Sequence, residues 1–128
     1  MINIILVGVG GAIGALMRYF VGELFSKYTF LFPVSTLLIN VTGSYLLSVV
    51  LYLSEYTSLI PEQARLFLSV GILGAFTTMS AFGSESVRLL DSGNYVYFAL
   101  YILLTVGLVI GAVILGKLSA GGLAHLFT

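Results

Sequence analysis

The chain has 128 residues, of which 59% are hydrophobic and only 8% are charged, against about 25% charged residues in a typical soluble domain. Five basic and five acidic residues are too few to cover the surface of a soluble domain of this size. Their balance provides no basic field for binding nucleic acid. The absence of cysteine, together with a single histidine, excludes thiolate chemistry and a multi-histidine metal site within one chain. The composition therefore indicates an integral membrane protein that resides in a lipid bilayer.

Four stretches are apolar over the roughly 20 residues that a membrane-spanning helix needs: residues 2–25, 36–53, 67–90 and 96–118. The connections between them contain turn-forming residues, among them Pro33, Pro61 and Gly93. No Lys or Arg precedes Arg18, which argues against a secretory signal and for a retained first helix. We therefore expect an all-α membrane protein in which residues 1–128 form a single four-helix transmembrane domain.

The basic residues that flank the four spans are divided evenly between the two sides of the membrane. Arg65 and Lys117 lie on the side of both termini, whereas Lys27 and Arg88 lie on the other side. Basic residues in short loops set the orientation of a membrane protein, so this chain carries no preference. A short chain with few charges gives such a balance without further meaning. The sharper interpretation is dual topology, in which copies insert both ways and pair as an antiparallel dimer.

The first span combines small residues with one charge. Gly10 and Gly14, like Gly107 and Gly111 in the fourth span, have the Gly-x-x-x-Gly spacing that favours close packing of helices. Arg18 lies late in the first span. Its side chain either extends to the membrane surface or supplies a fixed positive charge at the mouth of an anion pathway.

Polar residues of the second and fourth spans follow helical spacing. Thr36, Asn40 and Ser44 share one face of the second span, and that face must contact a partner helix or water because lipid offers no hydrogen bonds. For Asn40, a hydrogen bond between helices and a place in a pore lining are equally open. Tyr101 and Thr105, four residues apart in the fourth span, would continue a polar track.

The third span contains an interruption rich in Gly, Thr and Ser between Gly74 and Ser84. A helix break at membrane depth is tolerated only where it is buried in protein or lines a cavity. Such a break would free the carbonyls of Gly74 and Thr77, and free carbonyls attract a cation. The alternative is a continuous helix whose Ser and Thr hydroxyls bond back to the preceding turn. Phe82 lies close by, and a phenyl edge suits an anion, although core packing is the usual place of a membrane Phe.

These residues, in this order, resemble the Fluc/CrcB family of fluoride channels over essentially the whole chain. The resemblance rests on three motifs in register: Gly10-Gly11-Ala12-Ile13-Gly14-Ala15-x-x-Arg18-Tyr19, Thr36-x-x-x-Asn40-Val41-x-Gly43-Ser44, and Gly71-x-x-Gly74-x-x-Thr77-Thr78-x-Ser80-x-Phe82-x-x-Glu85.

The resemblance implies an antiparallel, dual-topology homodimer in the cell's inner (plasma) membrane, with two pores that export fluoride passively and so relieve fluoride toxicity. It implies a structural Na⁺ at the dimer interface, held by the backbone carbonyls of Gly74 and Thr77. Asn40 would be the pore amide and Phe82 would turn a ring edge toward fluoride. The remaining pore residues would be Thr36, Met79, Ser80, Tyr101 and Thr105, with Arg18 near the vestibule.

The sequence departs from the family pattern at two places. Met79 stands where the family usually has a second Phe, and a thioether is adaptable but offers no positive ring edge. Val109 occupies a position that is otherwise polar, which shortens the track on the fourth span. A heterodimer whose partner supplies the missing groups stays open, while the balanced charges favour a homodimer.

Two other functions compete with a channel. A proton-coupled small multidrug-type exporter needs a carboxylate inside the membrane, and the first span has no acidic residue before Glu23. A membrane subunit that only scaffolds a complex needs no aligned Thr36, Asn40, Tyr101 and Thr105. Since the chain shows no cluster of base, nucleophile and metal ligands, we do not expect an enzyme.

Overall fold

The computed structural model describes residues 1–29 and 31–128, and within these all regular secondary structure is helical. Four segments of the described chain are long and apolar enough to cross a membrane: Ile2–Ser26, Val34–Tyr56, Glu62–Asp91 and Tyr95–His125. The prediction of an all-α chain with four segments able to span a membrane is confirmed for the described residues.

The first, second and fourth segments are single helices: α1 is Ile2–Ser26, α2 is Val34–Tyr56 and α6 is Tyr95–His125. The third segment is composite. It begins with α3 (Glu62–Arg65), continues as a π-helix (Leu66–Leu73) and a short α4 (Gly74–Phe76), and resumes as α5 (Met79–Asp91). The predicted boundaries agree to within a few residues, except that α6 continues beyond residue 118 to His125 and the third segment starts earlier, at Glu62.

The backbone between α4 and α5 leaves the helix at Thr77 and Thr78. Thr77 has φ −76° and ψ 155°, and Thr78 has φ −149° and ψ 119°, both extended conformations. Thr78 is the N-cap of α5, where its hydroxyl accepts a hydrogen bond from the amide of Ala81 at 3.2 Å. These two residues, called the break below, lie within the Gly/Thr/Ser stretch between Gly74 and Ser84.

The four segments form two closely packed pairs. In the first, α1 lies against the π-helix and α4. A Cβ on Gly10 would lie 2.7 Å from the carbonyl oxygen of Phe67, and one on Gly14 would collide with the carbonyl of Ile72. The two backbones are therefore in direct contact, which is the role that the Gly-x-x-x-Gly spacing predicts for this pair.

In the second pair, α2 and α6 lie side by side in parallel. Ser48 lies at the level of Gly116, where an added Cβ would be 2.7 Å from the Ser48 Cβ, and Tyr56 reaches Gly121 further along both helices. The Ser48 hydroxyl also donates to the carbonyl of Val113 at 2.6 Å. This pairing places the polar faces of the second and fourth segments together beside the break.

Candidate functional site

The side chain of Asn40 holds the break from the neighbouring helix. Its Nδ2 donates to the carbonyl oxygen of Thr78 at 3.0 Å, and its Oδ1 accepts from the amide of Thr78 at 2.8 Å. Both hydrogen bonds are buried. One turn further along α2, Gly43 leaves room for the break, because a Cβ there would press on the Thr77 methyl and lie 3.1 Å from the Phe76 ring. The hydrogen bond between helices that the sequence left open for Asn40 is therefore present.

The break deprives two carbonyls of the donors that an α-helix would provide. In a continuous helix the amide of Thr78 would bond to the carbonyl of Gly74, and the amide of Ala81 to that of Thr77. Instead, the Thr78 amide donates to Asn40 and the Ala81 amide donates to the Thr78 hydroxyl. The carbonyls of Gly74 and Thr77 are thus left without their α-helical donors.

A cavity of about 530 Å³ lies on one side of the break, and we call it the α2–α6 cavity. It brings together four of the predicted pore residues, and its wall also includes Ser44 and the break itself. The hydroxyl of Thr105 is buried and has no hydrogen-bond partner among the described residues. The predicted residues that line this cavity are Asn40, Met79, Phe82 and Thr105, together with Gly74 and Thr77; Val106, Val109 and Ile110 form the apolar part of its wall.

A second cavity, of about 370 Å³, lies beside α1 and we call it the α1 cavity. It is lined by Arg18, Thr36 and Glu85 among other residues. Thr78 lines both cavities, so the hydrogen-bonded pair of Asn40 and Thr78 forms part of the wall between them.

The carboxylate of Glu85 is held by two hydroxyl donors. The Thr36 hydroxyl donates to Oε1 and the Tyr101 hydroxyl donates to Oε2, each at 2.7 Å. The Tyr101 side chain is fully buried, and its ring packs on Phe82 with the ring centroids 5.1 Å apart. In the sequence analysis Glu85 is part of a motif and has no assigned role. Its position within an apolar span is the signal that could have predicted hydrogen-bond donors around it, because a carboxylate there needs them.

The remaining predicted residues lie at the edges of the site. The hydroxyl of Ser80 lies 3.1 Å from that of Thr78, in the first turn of α5. Met79 lines the α2–α6 cavity, and 79% of its side chain is exposed in the single chain. The structure therefore brings the predicted residues into one region around the break, divided between two cavities, with Tyr101 buried behind Phe82.

Comparisons with known proteins identify the family. Residues 5–117 match the model of the CrcB-like protein, Camphor Resistance (CrcB) family. The chain is 46% identical over 124 residues to fluoride-specific ion channel FluC 1 of Methanosarcina acetivorans, covering 97% of this chain and 95% of that one. It is 47% identical over 124 residues to FluC 3 of Methanosarcina barkeri, covering 97% and 94%. It is 41% identical over 129 residues to FluC of Ruminiclostridium cellulolyticum, covering 98% of each chain. This chain belongs to the CrcB family.

Proposed function

We propose that this protein is a fluoride-selective channel that lets fluoride leave the cell passively, down its electrochemical gradient, across the inner membrane, and so relieves fluoride toxicity. Membership of the CrcB family and the printed names of its relatives support this function. The observation that carries it is the polar path around the break, from Thr36 and Glu85 in one cavity to Asn40 and Thr105 in the other. A channel is not an enzyme, in agreement with the expectation from the sequence.

The donors near the break suit a small, strongly hydrated anion, which must exchange water for other hydrogen-bond donors along its path. The amide nitrogen of Asn40 carries two N–H groups, and the bond to Thr78 uses one of them. The unpartnered hydroxyl of Thr105 lines the same cavity. Phe82 adds a ring whose edge is positive. We assign these three side chains to fluoride coordination.

We further propose that the working unit is an antiparallel homodimer with the break at membrane depth and near the dimer axis. The equal division of basic residues supports insertion in both orientations. The α2–α6 cavity is open in the single chain, and the exposed Met79 stands on its rim, so a second copy would complete the wall of the pore.

A structural Na⁺ at the dimer axis is supported by the carbonyls of Gly74 and Thr77, which have lost their α-helical donors. The described residues contain no cluster of three acidic, His or Cys residues that would hold a metal, so backbone carbonyls of two copies are the fitting ligands. When bound, the ion would supply positive potential beside the anion path.

This assignment predicts that removal of Na⁺ destabilises the purified protein. Replacing Na⁺ by N-methylglucamine should lower the unfolding temperature, and Na⁺ but not K⁺ should restore it. A site-bound ion at about 100 times its dissociation constant stabilises the folded state by about 2.7 kcal/mol. Equal unfolding temperatures in all three salts would contradict the Na⁺ site.

The function is tested by the release of fluoride from liposomes that contain the purified protein, measured with a fluoride electrode and with chloride release as the control for selectivity. Asn40→Asp should abolish fluoride release. The new carboxylate cannot donate to the Thr78 carbonyl, which accepts from Asn40 Nδ2 at 3.0 Å, and it places a negative charge on the anion path.

The matched control is Asn94→Asp, in the connection between α5 and α6. Within the described part of the chain, the side-chain amide of Asn94 donates only to the hydroxyl of Ser92. This variant should release fluoride at the rate of the unmodified chain. Fluoride release that survives Asn40→Asp would remove Asn40 from the pore. Release that stops when a protonophore collapses the pH gradient would favour the proton-coupled exporter, with Glu85 as its embedded carboxylate.

A further inference from the structure

α6 is longer than the hydrocarbon core of a bilayer is thick, so at least one of its ends projects beyond that core. This helix has 31 residues and is therefore about 46 Å long, whereas the core is about 30 Å thick. Its C-terminal end lies beside the end of α2, where Tyr52 and Tyr56 are located. Tyrosine is enriched where a membrane protein crosses from hydrocarbon to headgroups.

A cavity of about 550 Å³ lies between these two helix ends, and we call it the α6-end cavity. Lys117, Gly121 and His125 follow one another at intervals of four and so lie along one side of α6. Because Gly121 and Gly122 have no side chains, a notch separates the two basic residues. Tyr56 closes the notch on one side, with Cε2 4.0 Å from the position of a Cβ on Gly121.

The basic groups around the notch suit a negatively charged phosphate. The ammonium of Lys117 lies 5.1 Å from the centre of the Tyr52 ring. A cation–π contact of this kind holds the ammonium in place and leaves its N–H donors for another partner. His125 also lines the α6-end cavity.

The apolar surface next to the notch continues toward the membrane core. Leu118 lines the cavity and is 67% exposed, and Ile114, one turn deeper along α6, is also exposed. A free phosphate would leave this surface uncovered, whereas the acyl chains of a phospholipid would cover it.

We propose that the α6-end cavity binds the phosphate of an anionic phospholipid, with Lys117 and His125 as its basic contacts and the acyl chains along Leu118 and Ile114. The site lies at the end of the α2–α6 pair, away from the break, and the proposal does not depend on the ion that the protein conducts.

The test uses the full chain purified in a neutral detergent, with bound lipid counted by native mass spectrometry. Dioleoylphosphatidylglycerol should bind at least about fivefold more tightly than dioleoylphosphatidylcholine, since a basic residue near anionic lipid contributes ~1 kcal/mol. The double variant with Lys117→Gln and His125→Gln should lose this preference, while Lys117→Arg should keep it. Gly122→Leu should also lose it, because nothing lies within 4 Å of a Cβ there and the new side chain can fill the notch without a collision.

The control is Lys27→Gln, which removes a lysine at the far end of α1 and should leave the lipid preference unchanged. Fluoride release from phosphatidylcholine vesicles should be normal for Gly122→Leu, which keeps every basic residue, and would show that this variant is folded. An unchanged preference in the double variant would overturn the site. Displacement of phosphatidylglycerol by an equal concentration of inorganic phosphate would overturn its assignment to a lipid.

Discussion

Thr78 is the residue at which the candidate site is built. Its amide and its carbonyl both bond to Asn40, and its hydroxyl caps α5 and contacts the hydroxyl of Ser80. An extended residue inside an apolar segment would otherwise leave polar groups unpaired, at a cost of about 1–3 kcal/mol each. Asn40 stabilises this conformation by bonding to both backbone groups of Thr78. A residue of the second span therefore determines the backbone conformation in the third.

Met79 and Phe82 lead to a prediction about flux, because both line the α2–α6 cavity but only Phe82 presents a ring edge. Phe82→Ile should reduce initial fluoride release from liposomes about tenfold or more, equivalent to ~1.4 kcal/mol, since it removes that edge and the packing on Tyr101. Met79→Phe should keep or raise the flux, because a ring at this position would add a second positive edge to the cavity that Met79 lines.

The double variant tests whether the two positions act on one ion. They lie three residues apart on α5, so a shared ion site should make their effects non-additive. Val70→Ile, an exposed apolar position on the π-helix outside the cavity, is the control and should release fluoride normally. If Phe82→Ile left the flux unchanged with either Met79 or Phe at position 79, the ion path would have to run along Thr36, Asn40 and Tyr101 without an aromatic contact.

At the scale of the helices, the contact between α1 and the π-helix depends on two glycines. A Cβ on Gly14 would collide with the backbone carbonyl of Ile72. Gly14→Ala should therefore separate the two helices and destabilise the protein by about 1–3 kcal/mol, measured as a lower unfolding temperature in detergent.

Gly11→Ala is the matched control on the same helix, because nothing lies within 4 Å of a Cβ there. Alanine favours a helix over glycine by about 0.5–1 kcal/mol, so this variant should be as stable as the unmodified chain or slightly more stable. Equal unfolding temperatures for the two variants would show that the α1 contact does not limit stability.

The sequence predicted the positions of the helices better than their internal geometry. Apolar runs of span length are local features, so α1, α2 and the core of α6 follow from them. The π-helix at Leu66–Leu73 lies within an apolar run that is equally compatible with an α-helix, so the local pattern does not predict it. The bonds of Glu85 with Thr36 and of Asn40 with Thr78 join residues 49 and 38 positions apart, and no local pattern specifies them.

At the scale of the whole molecule, the single chain leaves a specific face without a partner. Gly107 and Gly111 have nothing within 4 Å of their Cβ positions among the described residues, unlike Gly10 and Gly14. They line an apolar groove between α2 and α6, on the side of the α2–α6 pair that faces away from the α2–α6 cavity. Small residues on a helix face permit close approach of another helix, so this groove offers a surface for a partner helix that is separate from the α2–α6 cavity.

The last prediction concerns the orientation of the two copies. Arg65 and Lys117 lie toward the end that carries both termini, and Lys27 and Arg88 toward the other. Asn3→Lys combined with Gln63→Lys adds positive charge at the first end and should favour insertion with that end in the cytoplasm. Ser92→Lys combined with Asn94→Lys should favour the opposite orientation.

Each variant expressed alone should rescue fluoride-sensitive cells poorly, because it lacks partners of the other orientation, and the two expressed together should restore resistance. Tagged termini of the unmodified chain should be accessible from both faces of the membrane. Accessibility from one face only, with full rescue by either variant alone, would show that the dimer is not antiparallel.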